Sequence, residues 1–474
     1  MNKFFKIAKY VGFFVFLALG ITVGLSQIFH PALDSLGHYT LMMLIITVGL
    51  WIFKPLDLPF SASGGLFMAA LLTFGVPSAN VFSGFSGAAV WALIPALFFG
   101  FVLVKTGLGR RIACFGMKSI DITYTSLLMM WGVIGVVLSM LTPAIVVRVV
   151  IMTPIAMQCV QLCKLPEGSK ARSLILITAW AMAAIPGLGW LTGSLTGPTL
   201  SGLYASTPEL DGIIDFASWA RVSLPPIAIL TVLTVVGGYI ALSPSEKLNI
   251  SKEVFVEEYQ KLGPMSLHEK IAGIVLISCF MLFATSSLHQ IPDAAVGLFG
   301  LFMLIAAGII ESKEMSSGIN WDMILFTGTA MGFGSVFAVT GISSWISDIL
   351  VGALAPIAGN PWVFIFTILP IMFLWRFLDI AVFIPTMAIV SAIAPEVYSR
   401  YNINPLIWIP LLCIAKTSFF LSYTNMFILV AEANMNGKGW TAEHLAKYGV
   451  VYFIASMITM LAAVPYWISI GMFG

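Results

Sequence analysis

The stretch Thr142 to Pro154, TPAIVVRVVIMTP, decides how this chain is read, because it sets one arginine inside an apolar run. A guanidinium cannot be neutralised in a protein, so at membrane depth Arg148 needs an anionic partner or a polar cavity. It is therefore the leading site candidate. A second stretch, Leu374 to Pro385 (LWRFLDIAVFIP), repeats the device with Arg376 and Asp379. Two matched charged breaks suggest a transporter.

Working outward, 59% of the 474 residues are hydrophobic and 9% are charged, where soluble domains carry roughly 45–50% and about 25%. The chain is an integral membrane protein. Apolar runs of about 18 residues or more recur along its length, which favours helices over the short alternating strands of a barrel. The longest polar interval, roughly Ser243 to Lys270, is too short to bury a core of its own. Cysteines 114, 159, 163, 279 and 413 are odd in number, lack a CxxC pair and read as packing residues. The five histidines show no metal-ligand spacing, and no triad, P-loop or dinucleotide fingerprint appears. No metal, cofactor, catalytic site or nucleic-acid partner is expected. The N-terminal run follows Lys3, Lys6 and Lys9 without a small-x-small cleavage site, so it counts as a first span.

Run length predicts spans at about 10–28, 39–53, 62–76, 88–104, 171–204, 219–242, 271–288, 294–310, 321–339, 406–434 and 448–470. Between them lie two hairpins, 122–163 and 356–394. Lys164, Lys170 and Arg172 follow the first, as Lys105, Arg110, Arg111 and Lys118 precede it. Basic clusters at both ends place both ends in the cytoplasm, so the segment either crosses twice or dips in and returns; Arg148 and the Thr142-Pro143 break near its middle favour the dip. The same rule sets the N-terminus inside, in a cell (inner) membrane. Only Arg221 and Arg400 then fall outside, and only Arg148, Arg376 and Lys416 lie at depth.

Phe99-Gly100, Val102, Thr106-Gly107 and Ile112 match Phe333-Gly334, Val336, Thr340-Gly341 and Ile346 at a constant offset. Each match precedes a charged hairpin, a broken helix and a final span. The expected fold is an all-α polytopic membrane protein of about 11 transmembrane helices plus two re-entrant hairpins in an inverted repeat. Spans 1–3 occupy 1–85, the first repeat 86–243 with its inward hairpin 122–163, and a cytoplasmic linker 244–270. The second half, 271–474, carries the outward hairpin 356–394. Lys252 to Lys261 (KEVFVEEYQK) reads as an amphipathic helix acting as the hinge between halves.

The fifth span is broken by Pro186-Gly187-Leu188-Gly189 and by TGSLTGPTLSG (Thr192 to Gly202), the tenth by SYTNM (Ser422 to Met426). Discontinuous helices at matching positions place a binding site near the midplane, where freed backbone groups converge. Arg148 and Arg376 approach it from the two hairpin turns, and bidentate guanidinium contacts suit a carboxylate or sulfonate. Asp379 also stands one helical turn from Arg376, close enough to satisfy it. Thr192, Ser194, Thr196, Thr199, Thr424 and Asn425 offer hydroxyls and amides to the substrate. Lys416, with Asp379, is the candidate coupling group or charge surrogate, either standing where a coupling cation would bind or deprotonating in a proton-coupled cycle. Glu432 is its alternative partner.

INWDMILFTGTAMGFGSVFAVTGISSWI (Ile319 to Ile346), FFGFVLVKTGLGRRIA (Phe98 to Ala113) and FASWARVSLPP (Phe216 to Pro226) resemble the paired scaffold segments and sixth-span opening of the divalent anion:sodium symporter family. That family includes dicarboxylate and citrate carriers. The resemblance implies an elevator mechanism, with hairpins and broken helices moving against a homodimeric scaffold. It also implies a Ser-Asn-Thr triplet at each hairpin turn. Ala144-Ile145-Val146 and Trp375-Arg376-Phe377 stand there instead, while Arg148 follows the first turn as an arginine does in citrate exchangers. The expected function is secondary active transport of a small organic anion (a di- or tricarboxylate or related anion), by exchange or coupled to Na+ or H+. The alternatives are the membrane subunit of a binding-protein-dependent carrier and a non-transporting sensor on the same scaffold.

Overall fold

Pro143 forces the first break: the residue before a proline is driven to extended backbone, and Thr142 adopts φ −153°, ψ 134°, ending one helix before the next begins at Ile145. The computed structural model that shows this describes residues 3–55, 58–246, 248, 253–377, 379 and 383–474, with residues 3–8 given by their backbone alone. Lys247 and Lys252 of the expected linker, and Leu378 and residues 380–382 of the second charged stretch, lie outside the described residues. Among the described residues there is no strand, and ten helices are long and apolar enough to cross a membrane. The all-helical expectation holds.

Helices α1 (Lys3–Ser26), α2 (Ser35–Phe53) and α3 (Phe60–Thr73) pack in sequence, followed by α4 (Ala88–Lys105) and the short amphipathic α5 (Leu108–Lys118). The first hairpin is α6 (Tyr124–Leu141) and α7 (Ile145–Leu162). The expected broken span is α8 (Lys170–Ala184), two 3-10 turns at Pro186–Gly189 and Leu191–Gly193, and α9 (Thr196–Ala205); α10 (Phe216–Leu242) returns. The linker carries α11 (Glu253–Lys261), then come α12 (Leu267–Ala284), α13 (Asp293–Ala306), α14 (Trp321–Met331), α15 (Phe333–Val339) and α16 (Ile342–Ala358). The second hairpin is α17 (Pro361–Trp375) and α18 (Ile384–Tyr401), the second broken span α19 (Trp408–Lys416) and α20 (Met426–Asn434), and α21 (Ala442–Ser469) closes the chain.

Both limbs of the first hairpin have 18 residues, about 27 Å at 1.5 Å per residue, so length alone would allow each to cross. The tip is enclosed by protein: Thr142 is 1% and Ala144 6% exposed. Irregular backbone is tolerated at depth only inside protein. The second hairpin differs in extent from the expected 356–394, since its limbs run 361–375 and 384–401 and a separate helix, α16, precedes it. That helix begins where Gly341 takes a left-handed φ of 71°, as α5 begins at Gly107 with φ 81°. The preceding Thr106 and Thr340 each donate to the carbonyl four residues back, both at 2.8 Å. The matched segments therefore share local geometry, and α5 and α16 each pack on both limbs of the hairpin that follows.

The window Lys170–Gly189 is 100% buried, against 17% for that of α1, which makes α8 a central helix and α1 a peripheral one. Around α8 lie α6, α7, α10 and α21. On the other side α3 packs on α14, while α13 packs on α4 and α12; Trp51 of α2 meets Phe326 at 4.8 Å between ring centroids. The expected hinge helix α11 is docked on α5: Arg110 pairs with Glu258 at 3.3 Å, and the Lys118 ammonium lies 3.4 Å from the Tyr259 ring centroid. Arg111 grips Glu269 of α12 with two hydrogen bonds, at 2.6 and 3.1 Å.

Candidate functional site

Each arginine is held by two backbone carbonyls, one from its own hairpin tip and one from the broken span of its own half. Arg148, wholly buried on the first turn of α7, donates through Nη1 to the Thr142 carbonyl at 3.1 Å and the Gly193 carbonyl at 2.8 Å. Arg376, 3% exposed, donates through Nε to the Lys416 carbonyl at 3.1 Å and through Nη1 to the Asp379 carbonyl. The breaks free these carbonyls because a helix terminus leaves its last acceptors unpaired.

The first break is shaped by glycines. A Cβ on Gly187 would overlap the Gly193 carbonyl and crowd Arg148 Nη1, and one on Gly193 would overlap the Gly187 carbonyl. Close approach of the two turns thus brings the Gly193 carbonyl to Arg148. Trp190, between them, donates its indole N–H to the Ser139 carbonyl of α6 at 3.2 Å, tying break to hairpin. The second break is held by a side chain: Asn425 donates to the carbonyls of Thr417 and Ser418, both at 3.3 Å, and its own oxygen caps α20 at Phe427 N.

Lys416 joins the two halves. Its ammonium donates to the Thr196 hydroxyl at the start of α9 and lies within electrostatic range of both Arg376 and Arg148. No ion pair joins it to Glu432; that carboxylate accepts from Ser422 Oγ at 2.6 Å and Trp440 Nε1 at 3.0 Å. Sequence nearness to Glu432 was misleading because the break turns the chain between them. Asp379 does not meet Arg376 simply as a helical neighbour: its carbonyl takes the guanidinium, while its carboxylate accepts from Thr386 N at 3.2 Å and Thr386 Oγ1 at 2.5 Å across the turn.

Three cations thus converge in the interior. Arg148 Nε and Nη2 find no hydrogen-bond partner among the described residues, nor do the hydroxyls of Thr192, Ser194 and Ser418. Leaving a buried donor unsatisfied costs about 1–3 kcal/mol, more for a charged one, so these groups have hydrogen-bonding capacity that the described residues do not use. Other expected polar residues turn inward to their own segments: Thr199 Oγ1 donates to the Leu195 carbonyl at 2.7 Å and Thr424 Oγ1 to that of Leu421 at 2.7 Å.

A cavity of about 310 Å³ reaches this assembly. Pro143 of the hairpin tip and Leu191, Thr192, Pro198 and Ser201 of the first break form one wall; Phe99, Cys279, Phe280 and Gly297 of α4, α12 and α13 form the other, with Asp215 and Asp293 also on its lining. Arg148 does not line it. Pro143 and Thr192 do, and each adjoins a residue whose carbonyl holds the guanidinium. Sequence reading missed Ser418, two residues beyond Lys416, as well as Trp190, Thr386 and the cavity wall; Ser418 alone carried a local signal, its place in the same polar break.

The sequence profile of the sodium:sulfate symporter transmembrane region matches residues 8–473. Among similar proteins, the L-tartrate/succinate antiporter of Escherichia coli (strain K12) is 25% identical over 468 residues, covering 94% of this chain and 91% of that protein. The chloroplastic dicarboxylate transporter 1 of Arabidopsis thaliana is 24% identical over 375 residues, covering 76% of this chain and 66% of its own length. In fold, the chain is similar to the YdaH transporter of Alcanivorax borkumensis, whose crystal structure has an unusual topology, with a TM-score of 0.56 over 92% of this chain and 99% of that one at 13% identity. The scaffold segments, the paired breaks and the full-length profile agree: this chain belongs to the sodium:sulfate symporter transmembrane-region family, the divalent anion:sodium symporters, which are transporters and not enzymes.

Proposed function

We propose that this protein is a secondary active transporter that exchanges small organic anions of the di- or tricarboxylate class across the cytoplasmic membrane. One observation carries the reading: Arg148, Arg376 and Lys416 are buried together, and Arg148 keeps two guanidinium nitrogens without partners among the described residues. Desolvated charge of one sign costs several kcal/mol per ion unless it is compensated. An anion with several carboxylate oxygens supplies that compensation, and the dicarboxylate and tartrate/succinate carriers among the relatives handle such anions. Exchange follows from the same cost. An empty site retains its unmatched cations, so a loaded carrier crosses more readily than an empty one, and return requires a second anion. Fixed cations in this role leave sodium or protons without a coupling task.

Movement takes the elevator form, with the two hairpins and broken spans as the mobile unit and α1–α4 with α12–α15 as the scaffold, in a homodimer. The distribution of lysine and arginine puts the N-terminus in the cytoplasm. The test is uptake of radiolabelled succinate into proteoliposomes. Internal succinate is expected to drive uptake without sodium, and sodium or proton gradients are expected to add nothing to empty vesicles. Uptake that requires a sodium gradient and ignores internal anion would overturn exchange.

A further inference from the structure

Asp379 is 5% exposed, beside Arg376 at the second hairpin tip, and is fixed there by Thr386 through both its backbone N–H and its hydroxyl. Its charge acts on Arg376, and Arg376 and Arg148 act on Lys416. Glu432 is engaged elsewhere, with Ser422 and Trp440. Asp379 adjoins Arg376, Arg376 holds the Lys416 carbonyl, and Lys416 reaches Thr196 of the first break, so with all four groups ionised these linked groups sum to a net charge of plus two. In a buried site an unmatched charge dominates ligand choice, because screening by water is weak.

Resting on the organic-anion reading above, we infer that Asp379 is a specificity-determining residue that sets the valence of the transported anion, tuning the site to doubly rather than triply charged substrates. The carboxylate does not touch the ligand in this role. It subtracts one charge from the cluster that does. An asparagine keeps an oxygen able to accept from Thr386 while removing the charge, so D379N separates charge from local structure.

The experiment is counterflow in proteoliposomes at pH 7.5, where succinate is a dianion and citrate predominantly a trianion, scoring the ratio of citrate to succinate exchange. Wild-type protein is expected to favour succinate, and Asp379→Asn to raise the citrate-to-succinate ratio by about tenfold or more. Lys416→Met subtracts a cation and is expected to move the ratio the other way, while the double variant returns it towards the wild-type value. Thr386→Val, which loosens the tip without changing charge, is expected to slow both anions and leave the ratio alone. If D379N transports too slowly to score, thermal stabilisation of the purified variants by the two anions reads the same ratio, and where D379N folds poorly Asp379→Ser, which removes the same charge in a smaller side chain, is scored in its place. An unchanged ratio in D379N, an equal shift in Thr386→Val, or a Lys416→Met shift towards citrate overturns the inference. Absence of exchange of either anion by wild-type protein would instead overturn the organic-anion reading, and the valence inference with it.

Discussion

The two hairpins hold their arginines by the same device and differ in what surrounds the charge. In each half the guanidinium is clasped by a carbonyl of its own tip and a carbonyl of its own broken span, Thr142 and Gly193 for Arg148, Asp379 and Lys416 for Arg376. The second tip also supplies a carboxylate, which acts on Arg376. The first supplies none, and Lys416 crosses from the second half to bond Thr196 beside it. Positive charge therefore accumulates on the side of the first hairpin. A repeated architecture positions both arginines, and on the proposed reading the acidic residue at the second tip leaves Arg148 as the one available to a ligand.

That asymmetry is open to direct attack. Arg148→Ala is expected to cost as much as a broken buried ion contact, about 3–5 kcal/mol, which is about 150- to 5,000-fold in exchange rate, with the protein still folded in the membrane. Arg376→Ala is expected to lose only about tenfold, because its guanidinium is already engaged by the Lys416 and Asp379 carbonyls while Arg148 keeps its unpartnered nitrogens. Equal losses in the two variants, measured as initial rates at matched protein density, would break the comparison.

The breaks differ too, and smaller effects sharpen that contrast. Gly193→Ala puts a Cβ into the Gly187 carbonyl, so it is expected to cost about 1–3 kcal/mol, seen as a lower Tm together with a raised KM as the Arg148 clasp shifts. In the second break Asn425→Ala strands two carbonyls that the amide now serves and is expected to destabilise the protein by a comparable amount, about 1–3 kcal/mol, seen as a lower Tm with less effect on KM. Thr199→Val is expected to change transport less than about twofold, since its hydroxyl is already bonded to the Leu195 carbonyl and such helical hydroxyls are nearly neutral. A large transport defect in Thr199→Val would mean that α9 presents that hydroxyl to the anion in another state of the cycle.

Much of this was legible in the chain because the signals are local. Proline and glycine mark the breaks at Pro186–Gly189 and Thr192–Gly202, and an arginine in an apolar run announces itself as Arg148 does. Helix α16 was missed: the expected ninth span ended at Val339 and the hairpin began at 356, so most of Ile342–Ala358 was assigned to no element, its 17 residues being interrupted by Ser343, Ser344, Ser347 and Asp348. The partner of Lys416 was beyond reach for a different reason: Thr196 is 220 residues away, and the choice between it and Glu432 depends on how the two broken spans cross. The approach of Gly187 to Gly193, and the turn that brings Thr386 to Asp379, likewise exist only after tertiary packing.

The account rests on Arg148 as the group that holds the anion, and binding tests this more directly than transport does. Succinate binding to purified protein in sodium-free buffer, by titration calorimetry, should give a saturable isotherm for the wild type and none for Arg148→Gln, with unliganded Tm values that agree. Arg148→Gln binding succinate as tightly as the wild type would contradict it.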